Sequence, residues 1–357
     1  MLTHEDLFRL MMEKRVLEAH LVPGSPIMLR DKTGDLSPTD ANILSPGDTK
    51  KFVSDMMNDN QKNEFIQKNE IDFAISVPGL SRYSISIFMQ RNSISAIIKT
   101  VPPAPPTFEE LGLPDVFKSI STRVQRGLVV ICGPKGSGKS HTLAAMINYI
   151  IENRSCKIVT LENPIKFLFK NKKGIICQRE VGIDVKNPLD ALDSIQHLGA
   201  DIIIVNEISS YETASRILTL AAGGYLVFVT AIAPSVQVIL ETIIDLYPAN
   251  LHDQCKTYLA VGFEAGVSQV LCKKVSGDGV IPAFEICIAT PPVKVFLKEG
   301  KIPNIYQIMA SSGREAGMTT QEHTLRSMIK KNIITQEEAF SRAVRPEELR
   351  KILALPF

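Results

Sequence analysis

The chain has 357 residues, 45% hydrophobic and 22% charged, enough for two or three compact units that bury cores without disulfides. These proportions exclude a disordered chain, a collagen-like repeat and a small cysteine-stapled scaffold. Lys plus Arg is 40 against 38 Asp plus Glu, a net charge of +2, and a field that weak does not call for nucleic acid.

In chain order, residues 5–18 predict an amphipathic helix, with Leu7, Leu10, Met11 and Val16 near helical spacing. Residues 31–50 are rich in Gly, Pro, Asp and Ser and predict turns between short strands, and Ser45-Pro46-Gly47-Asp48 opens a helical stretch through Met57. Asp72–Val77 and Arg82–Phe88 alternate as strands around the turn Pro78-Gly79-Leu80, and Ser93–Thr100 supplies another. The first hundred residues therefore read as a small α+β domain. Val101-Pro102-Pro103-Ala104-Pro105-Pro106 is a semi-rigid linker, because proline lacks the backbone donor and fixes φ.

Beyond the linker, apolar strands at Gly127–Cys132, Lys157–Leu161, Asp201–Val205 and Leu226–Thr230 alternate with helical segments. That alternation predicts βαβ units and a mostly parallel sheet. Helical patterns at 292–299, 319–330 and 335–353 close the chain. The six cysteines are scattered without metal-ligand spacing and predict buried thiols in a reducing compartment. No signal-peptide pattern is visible, and no window approaches ~18 uninterrupted apolar residues, so the expectation is a cytoplasmic protein. The basic run Lys166–Lys173 reads as a solvated loop, and His197, His252 and His323 as lone residues rather than metal ligands.

One motif carries chemistry outright. The apolar strand Leu128–Cys132 runs into Gly133-Pro134-Lys135-Gly136-Ser137-Gly138-Lys139-Ser140 and then a helix from His141 to Ile151. This is G-x-x-x-x-G-K-[ST] in its strand–loop–helix context. Glycines let backbone N–H groups turn around a phosphate, and the helix N-terminus adds its positive dipole end. Lys139 is placed to reach the β- and γ-phosphates of ATP and Ser140 to ligate Mg²⁺. Downstream, Thr160-Leu161-Glu162-Asn163-Pro164 follows a strand, and Asp201–Val205 ends in Asn206-Glu207. A carboxylate at the end of such a strand is suited to Mg²⁺ and an attacking water.

With these motifs, the chain resembles the PilT branch of the GspE/PilT secretion ATPase superfamily, hexameric motors that retract type IV pili. The resemblance is carried by Met57-Asn58-Asp59, Val77–Arg82, Leu111–Pro114, Arg126–Val129, the phosphate loop, Thr142–Met146, Gln178–Gly182, Phe284-Glu285-Ile286 with Thr290-Pro291, and Gly317–Thr320. It implies an α/β fold: a PAS-like α+β domain (1–101), a linker (102–108), a RecA-like P-loop ATPase domain (109–290) and a C-terminal helical region (291–357). It implies Glu162 as general base and Glu207 as the Walker B glutamate. Residues 133–141 would bind nucleotide, with Arg82 and Arg91 completing a neighbouring subunit's site. Implied partners are copies of itself or a related ATPase in a hexamer, and an inner-membrane pilus platform protein. Nucleic acid is not among them. Cytoplasmic placement, peripheral at the inner membrane, follows from the same resemblance.

Departures from the family pattern are specific. Asn163 stands for an aspartate, Asn206 for a glycine, Ser209-Ser210 for Arg-Asp, and Asp193 and His197 for arginines. Ile232 replaces the His-box histidine, and Lys99, Lys294 and Lys298 stand at arginine positions. Isoleucine offers neither donor nor acceptor, and lysine lacks the bidentate fork. The primary expectation is an ATP-hydrolysing retraction motor with reduced turnover. The alternative is a degenerate ATP-binding subunit with weak or no hydrolysis beside an active retraction ATPase. A GspE-type assembly ATPase is weaker for want of a four-cysteine zinc module, and a DNA translocase weaker still on charge.

Overall fold

The structure is a computed structural model that describes residues 3–31, 35–102, 104–208, 210–277, 279–311 and 316–354. The chain divides into two compact units, Met1–Ala104 with Pro164–Leu168, and Pro105–Asn163 with Phe169–Phe357. The linker residue Pro103 lies outside the described residues.

In the first unit, α1 (His4–Glu13) begins at a capping box in which Thr3 and Asp6 satisfy each other's backbone N–H groups. The helix stops five residues before the sequence pattern suggests. Arg15 takes φ +52°, so the chain turns and Val16 enters the core from outside the helix. There follow β1 (Glu18–Leu21), β2 (Met28–Arg30), β3 (Leu36–Pro38), α2 (Pro46–Ser54), α3 (Asp59–Lys68), β4 (Glu70–Ser76), β5 (Arg82–Gln90) and β6 (Ser93–Val101). Helix α3 has no expectation above, because Phe65 is its one buried residue and its face carries little apolar signal. Its start is nonetheless written locally, as an Asn58–Gln61 capping box. The six strands pair antiparallel in the order β3-β2-β1-β6-β5-β4. Leu7, Phe8, Phe52, Val53 and Phe65 from the helices share one core with Ala19, Leu21, Phe73, Tyr83, Ile85 and Ile98 from the strands. Tyr83 stacks on Phe8 with ring centroids 4.2 Å apart and donates its hydroxyl hydrogen to the Phe8 carbonyl.

The second unit opens with α4 (Phe108–Leu111), capped by Thr107 and Glu110, and α5 (Asp115–Arg123). Its strands are β7 (Gly127–Cys132), β8 (Lys157–Glu162), β9 (Ile175–Glu180), β10 (Ile202–Val205), β11 (Leu226–Ala231), β12 (Phe263–Lys273) and β13 (Val280–Ile288). They form one sheet in the order β13-β12-β7-β11-β10-β8-β9. Every neighbouring pair is parallel except β12–β13. The helices between them are α6 (Lys139–Asn153), α7 (Pro188–Ser194), α8 (Tyr211–Ala222), α9 (Val236–Asp245) and α10 (His252–Gly262). Both faces are covered: Leu128, Val130 and Cys132 of β7 enter one core, and Val129 and Ile131 the other.

Among the described residues five helices follow, α11 (Pro291–Glu299), α12 (Pro303–Ser311), α13 (Gln321–Lys330), α14 (Gln336–Arg342) and α15 (Pro346–Leu353). The stretch read as one helix over 335–353 is two, broken where Arg345 precedes Pro346 and takes a non-helical ψ of 78°. Leu325, Met328, Ala339 and Leu349 from these helices pack with Val270, Cys272 and Ala283 of β12 and β13.

Candidate functional site

Parallel strands put their carboxyl ends along one edge, the edge where α/β sheets bind ligands. The phosphate loop leaves β7 there. Gly133, Gly136 and Gly138 take φ of +151°, +81° and +85°. Gly133 is glycine for space as well as conformation: a Cβ would meet the Gln269 carbonyl oxygen at 2.3 Å. At Gly136 a Cβ would meet nothing within 4 Å, so the left-handed backbone alone explains the residue. Helix α6 begins at Lys139, with Gly138 as an N-cap that offers no side-chain acceptor. Its first turn, carrying Ser140 and the exposed His141, is the helix end that attracts anions. The Lys139 ammonium donates to the carbonyls of Gly133 and Pro134, both at 2.8 Å, which holds it across the loop.

A residue the sequence reading did not single out holds this loop in shape. Gln269 on β12 is 2% exposed. It accepts from the Thr142 hydroxyl at 2.6 Å and donates to the Ser137 carbonyl at 2.7 Å, so one amide ties β12 to the loop and to α6. The available signal was a Gln within the mostly apolar run Ala265–Cys272 of β12.

Glu162 ends β8 and is 8% exposed. Its Oε1 accepts from the Thr160 hydroxyl at 2.7 Å and from the Gln178 side-chain amide at 3.0 Å. Gln178 is itself oriented by the Phe169 N–H, which donates to its Oε1 at 3.1 Å. Glu180 pairs in register with Glu162 on β9, the edge strand. Glu207 lies two residues beyond β10 and is exposed. The Thr230 hydroxyl on β11 bonds the Asn206 carbonyl just before it. Because β11 lies between β7 and β10, strand spacing puts β10 about 10 Å and β8 about 14 Å from the phosphate-loop strand. The carboxylate nearer the loop in strand order is therefore Glu207.

Arg82 and Arg91 are not brought together. Arg82 starts β5 and donates to the Ser76 hydroxyl at 3.1 Å. Arg91 forms the β5–β6 turn with Asn92, both at positive φ. About 27 Å of strand separates them, so at most one can serve any single phosphate group.

Three of the family departures have local partners. Asp193 on α7 meets Arg216 on α8 at 2.6 Å, Lys99 meets Glu18 at 3.4 Å and Lys294 meets Glu264 at 2.8 Å. Ile232 is 61% exposed just past β11, and Ser209 lies outside the described residues. His197 is exposed, His252 bonds the Tyr247 carbonyl and His323 the Thr320 hydroxyl. Lys172 pairs with Glu152, and Lys173 donates to the Asn153 carbonyl, so these two lysines meet the end of α6. Of the cysteines, Cys132, Cys255, Cys272 and Cys287 are buried, while Cys177, against expectation, is exposed on the edge strand β9. Burial pushes the Cys132 thiol up to about 12 and the Cys272 thiol to about 11, which keeps both protonated and inert. No helix among the described residues is long and apolar enough to cross a membrane.

The chain is similar to known proteins of one family. Residues 106–250 match the family model described as type II/IV secretion system protein. The chain is 36% identical to the type IV pilus retractation ATPase PilT of Pseudomonas aeruginosa, over 92% of this chain and 95% of that one. It is 34% identical to a twitching motility protein of Neisseria gonorrhoeae, over 88% and 84% of the two chains. A crystal structure of the pilus retraction motor PilT with bound ADP superposes with a TM-score of 0.90 at 32% identity, covering 98% of this chain and all of that one.

Proposed function

The chain belongs to the PilT family of type II/IV secretion ATPases, and from that premise we propose that it is the ATP-hydrolysing motor subunit of a type IV pilus machine, driving retraction and twitching motility. The observation that carries the reading is the match to PilT over nine-tenths of the chain, with the phosphate loop folded as a strand–loop–helix cradle. The relatives do not favour the alternative of a structural subunit without hydrolysis.

In this reading the backbone N–H groups of residues 135–141 and the Lys139 ammonium bind the phosphates of ATP. The Ser140 hydroxyl and the exposed Glu207 form a hard-oxygen donor set that fits Mg²⁺, which when bound neutralises phosphate charge. Glu162 is the general base, and its hydrogen bonds from Thr160 and Gln178 fix the direction of its carboxylate. Charge on the transferring phosphoryl group needs a further cation, supplied by Arg82 or Arg91 of a neighbouring subunit in a homo-hexamer or a mixed hexamer with a related ATPase. Ile232 at the His-box position supplies no hydrogen bond, so turnover is slower than in members with the histidine. The motor works in the cytoplasm against an inner-membrane platform protein.

A steady-state ATPase assay of the purified protein tests this. Measurable Mg²⁺-dependent hydrolysis is expected, with Lys139→Ala losing nucleotide affinity and Glu162→Ala losing kcat at retained affinity. Equal hydrolysis in all three proteins would sink the reading.

A further inference from the structure

The connection from β11 to α9 leaves the sheet beside the phosphate loop, since Ala231 pairs in register with Cys132, the residue before Gly133. Only Ile232, Ala233 and Pro234 separate β11 from Ser235, the buried N-cap of α9. Both sides of Ser235 are pinned. The Ser268 hydroxyl on β12 donates to the Pro234 carbonyl at 2.8 Å, and the Val236 N–H donates to Glu285 Oε1 on β13 at 2.7 Å. Ser268 and Glu285 are cross-strand partners, so one register position of the β12–β13 ladder holds the connection twice.

Glu285 is 1% exposed, as is Glu322 on α13. Both carboxylates meet Arg345, the residue before α15. Its guanidinium lies 3.4 Å from Glu285 Oε2, donates to the Gln237 side-chain carbonyl of α9 at 2.9 Å, and stands 4.0 Å from the centre of the Tyr306 ring. Its backbone N–H donates to Glu322 Oε1 at 3.2 Å, and the Tyr306 hydroxyl donates to the other oxygen of Glu322 at 3.2 Å. A buried carboxylate without a cation is costly, and an apolar pair would fill the same space more cheaply. What the polar arrangement adds is direction: it joins α12, α13 and the start of α15 to the first turn of α9 through one residue, Arg345.

We propose that Arg345 and Glu285 are positioning residues that act as a unit to set the β11–α9 connection beside the phosphate loop, so that the C-terminal helices bias how a γ-phosphate is held. This rests on the nucleotide-binding reading above and extends it to a regulatory input from the C-terminal end of the unit. The coupling is energetic and reciprocal: ATP bound beside a correctly placed connection, which Ile232 can meet only through its backbone, favours the arrangement in which Arg345 engages Glu285.

The test compares the affinity for ADP with that for a non-hydrolysable ATP analogue, together with kcat and thermal stability, in the full chain. In the double variant Glu285→Leu/Arg345→Met the core stays filled. ADP affinity should remain near wild type, while the analogue weakens at least ~5-fold and kcat falls with it. Arg345→Lys should recover part of the difference. A merely structural role would shift stability without changing the ratio of the two affinities. The inference is overturned if the folded double variant keeps the wild-type ratio and kcat. Should that variant fail to fold, the isosteric Glu285→Gln, which removes the charge that Arg345 engages, carries the same ratio test with the same two outcomes. Lys139→Ala separates this inference from its premise: loss of both nucleotides there, with an unchanged ratio in the paired variants, overturns the coupling alone. A wild type that binds neither nucleotide overturns both.

Discussion

The sheet of the first unit draws its core from one face, and the sheet of the second is buried on both. Strand β5 alternates between fully and partly buried residues, whereas all six residues of β7 and all four of β10 are buried. The difference decides where chemistry can be placed. A sheet covered on one side leaves Ser84 and Ser86 of β5, and Glu18 of β1 with its Arg30 and Lys99 partners, on the other. A sheet covered on both sides has only its strand ends to offer, and there the phosphate loop, Glu162, Glu207 and Ile232 emerge.

The largest contrast comes from truncating one residue in each sheet. Ile203 lies in β10 between β8 and β11 with no exposed surface, so Ile203→Ala should cost about 2–5 kcal/mol in chemical denaturation. Ser84→Ala, on the face of β5 away from the core, should stay within about 0.5 kcal/mol. Similar costs at both positions would remove the distinction between the sheets. A smaller effect sharpens it at the strand ends. Gln269→Leu strands the buried Thr142 hydroxyl and Ser137 carbonyl and should cost about 2 kcal/mol. Nucleotide affinity should fall alongside stability, because the loop loses the amide that shapes it. A stable variant with intact affinity would show that the glycines shape the loop unaided.

An effect of similar size is pH-dependent. Burial pushes the Glu285 carboxyl from 4.5 to about 7, opposed by the Val236 N–H and Arg345 and reinforced by Glu322. The thiols of Cys132 and Cys287, whose own values rise in part through Glu285, are its other titratable neighbours. The folded value lies above the unfolded one, so the stability linked to this proton is complete below pH 4.5 and is lost as pH rises through about 7. Between pH 5 and 8, wild type should lose about 2 kcal/mol relative to Glu285→Gln, read from paired denaturation curves. Parallel pH profiles would mean that Arg345 keeps Glu285 ionised throughout.

Much of this architecture was legible in the sequence wherever the signal was local. The apolar runs of β7, β8, β10 and β11 announce a covered parallel sheet, and the alternation of β4, β5 and β6 a half-covered antiparallel one. What local pattern could not reach were elements whose identity depends on neighbours. Strand β9 is partly exposed and pairs only with β8. Strand β13 lies antiparallel at the other edge of the sheet. Helix α1 was overextended because Val16 falls on the helical period although Arg15 had already turned the chain.

By itself the sequence determined the strand–loop–helix turn at residues 133–140, because strand, glycines, Lys139 and helix start are contiguous and their geometry follows from local φ and capping rules. It also named both glutamates, each at the end of an apolar strand. Only the tertiary structure decided that β11 would separate β7 from β10, that Gln269 would reach Ser137 of the loop across 132 residues, and that Arg345 would meet Glu285 across 60 residues. It also set Arg82 and Arg91 at opposite ends of one strand. The reason is that strand order and buried polar pairing are long-range choices, settled by which faces must be covered and which buried groups must find partners.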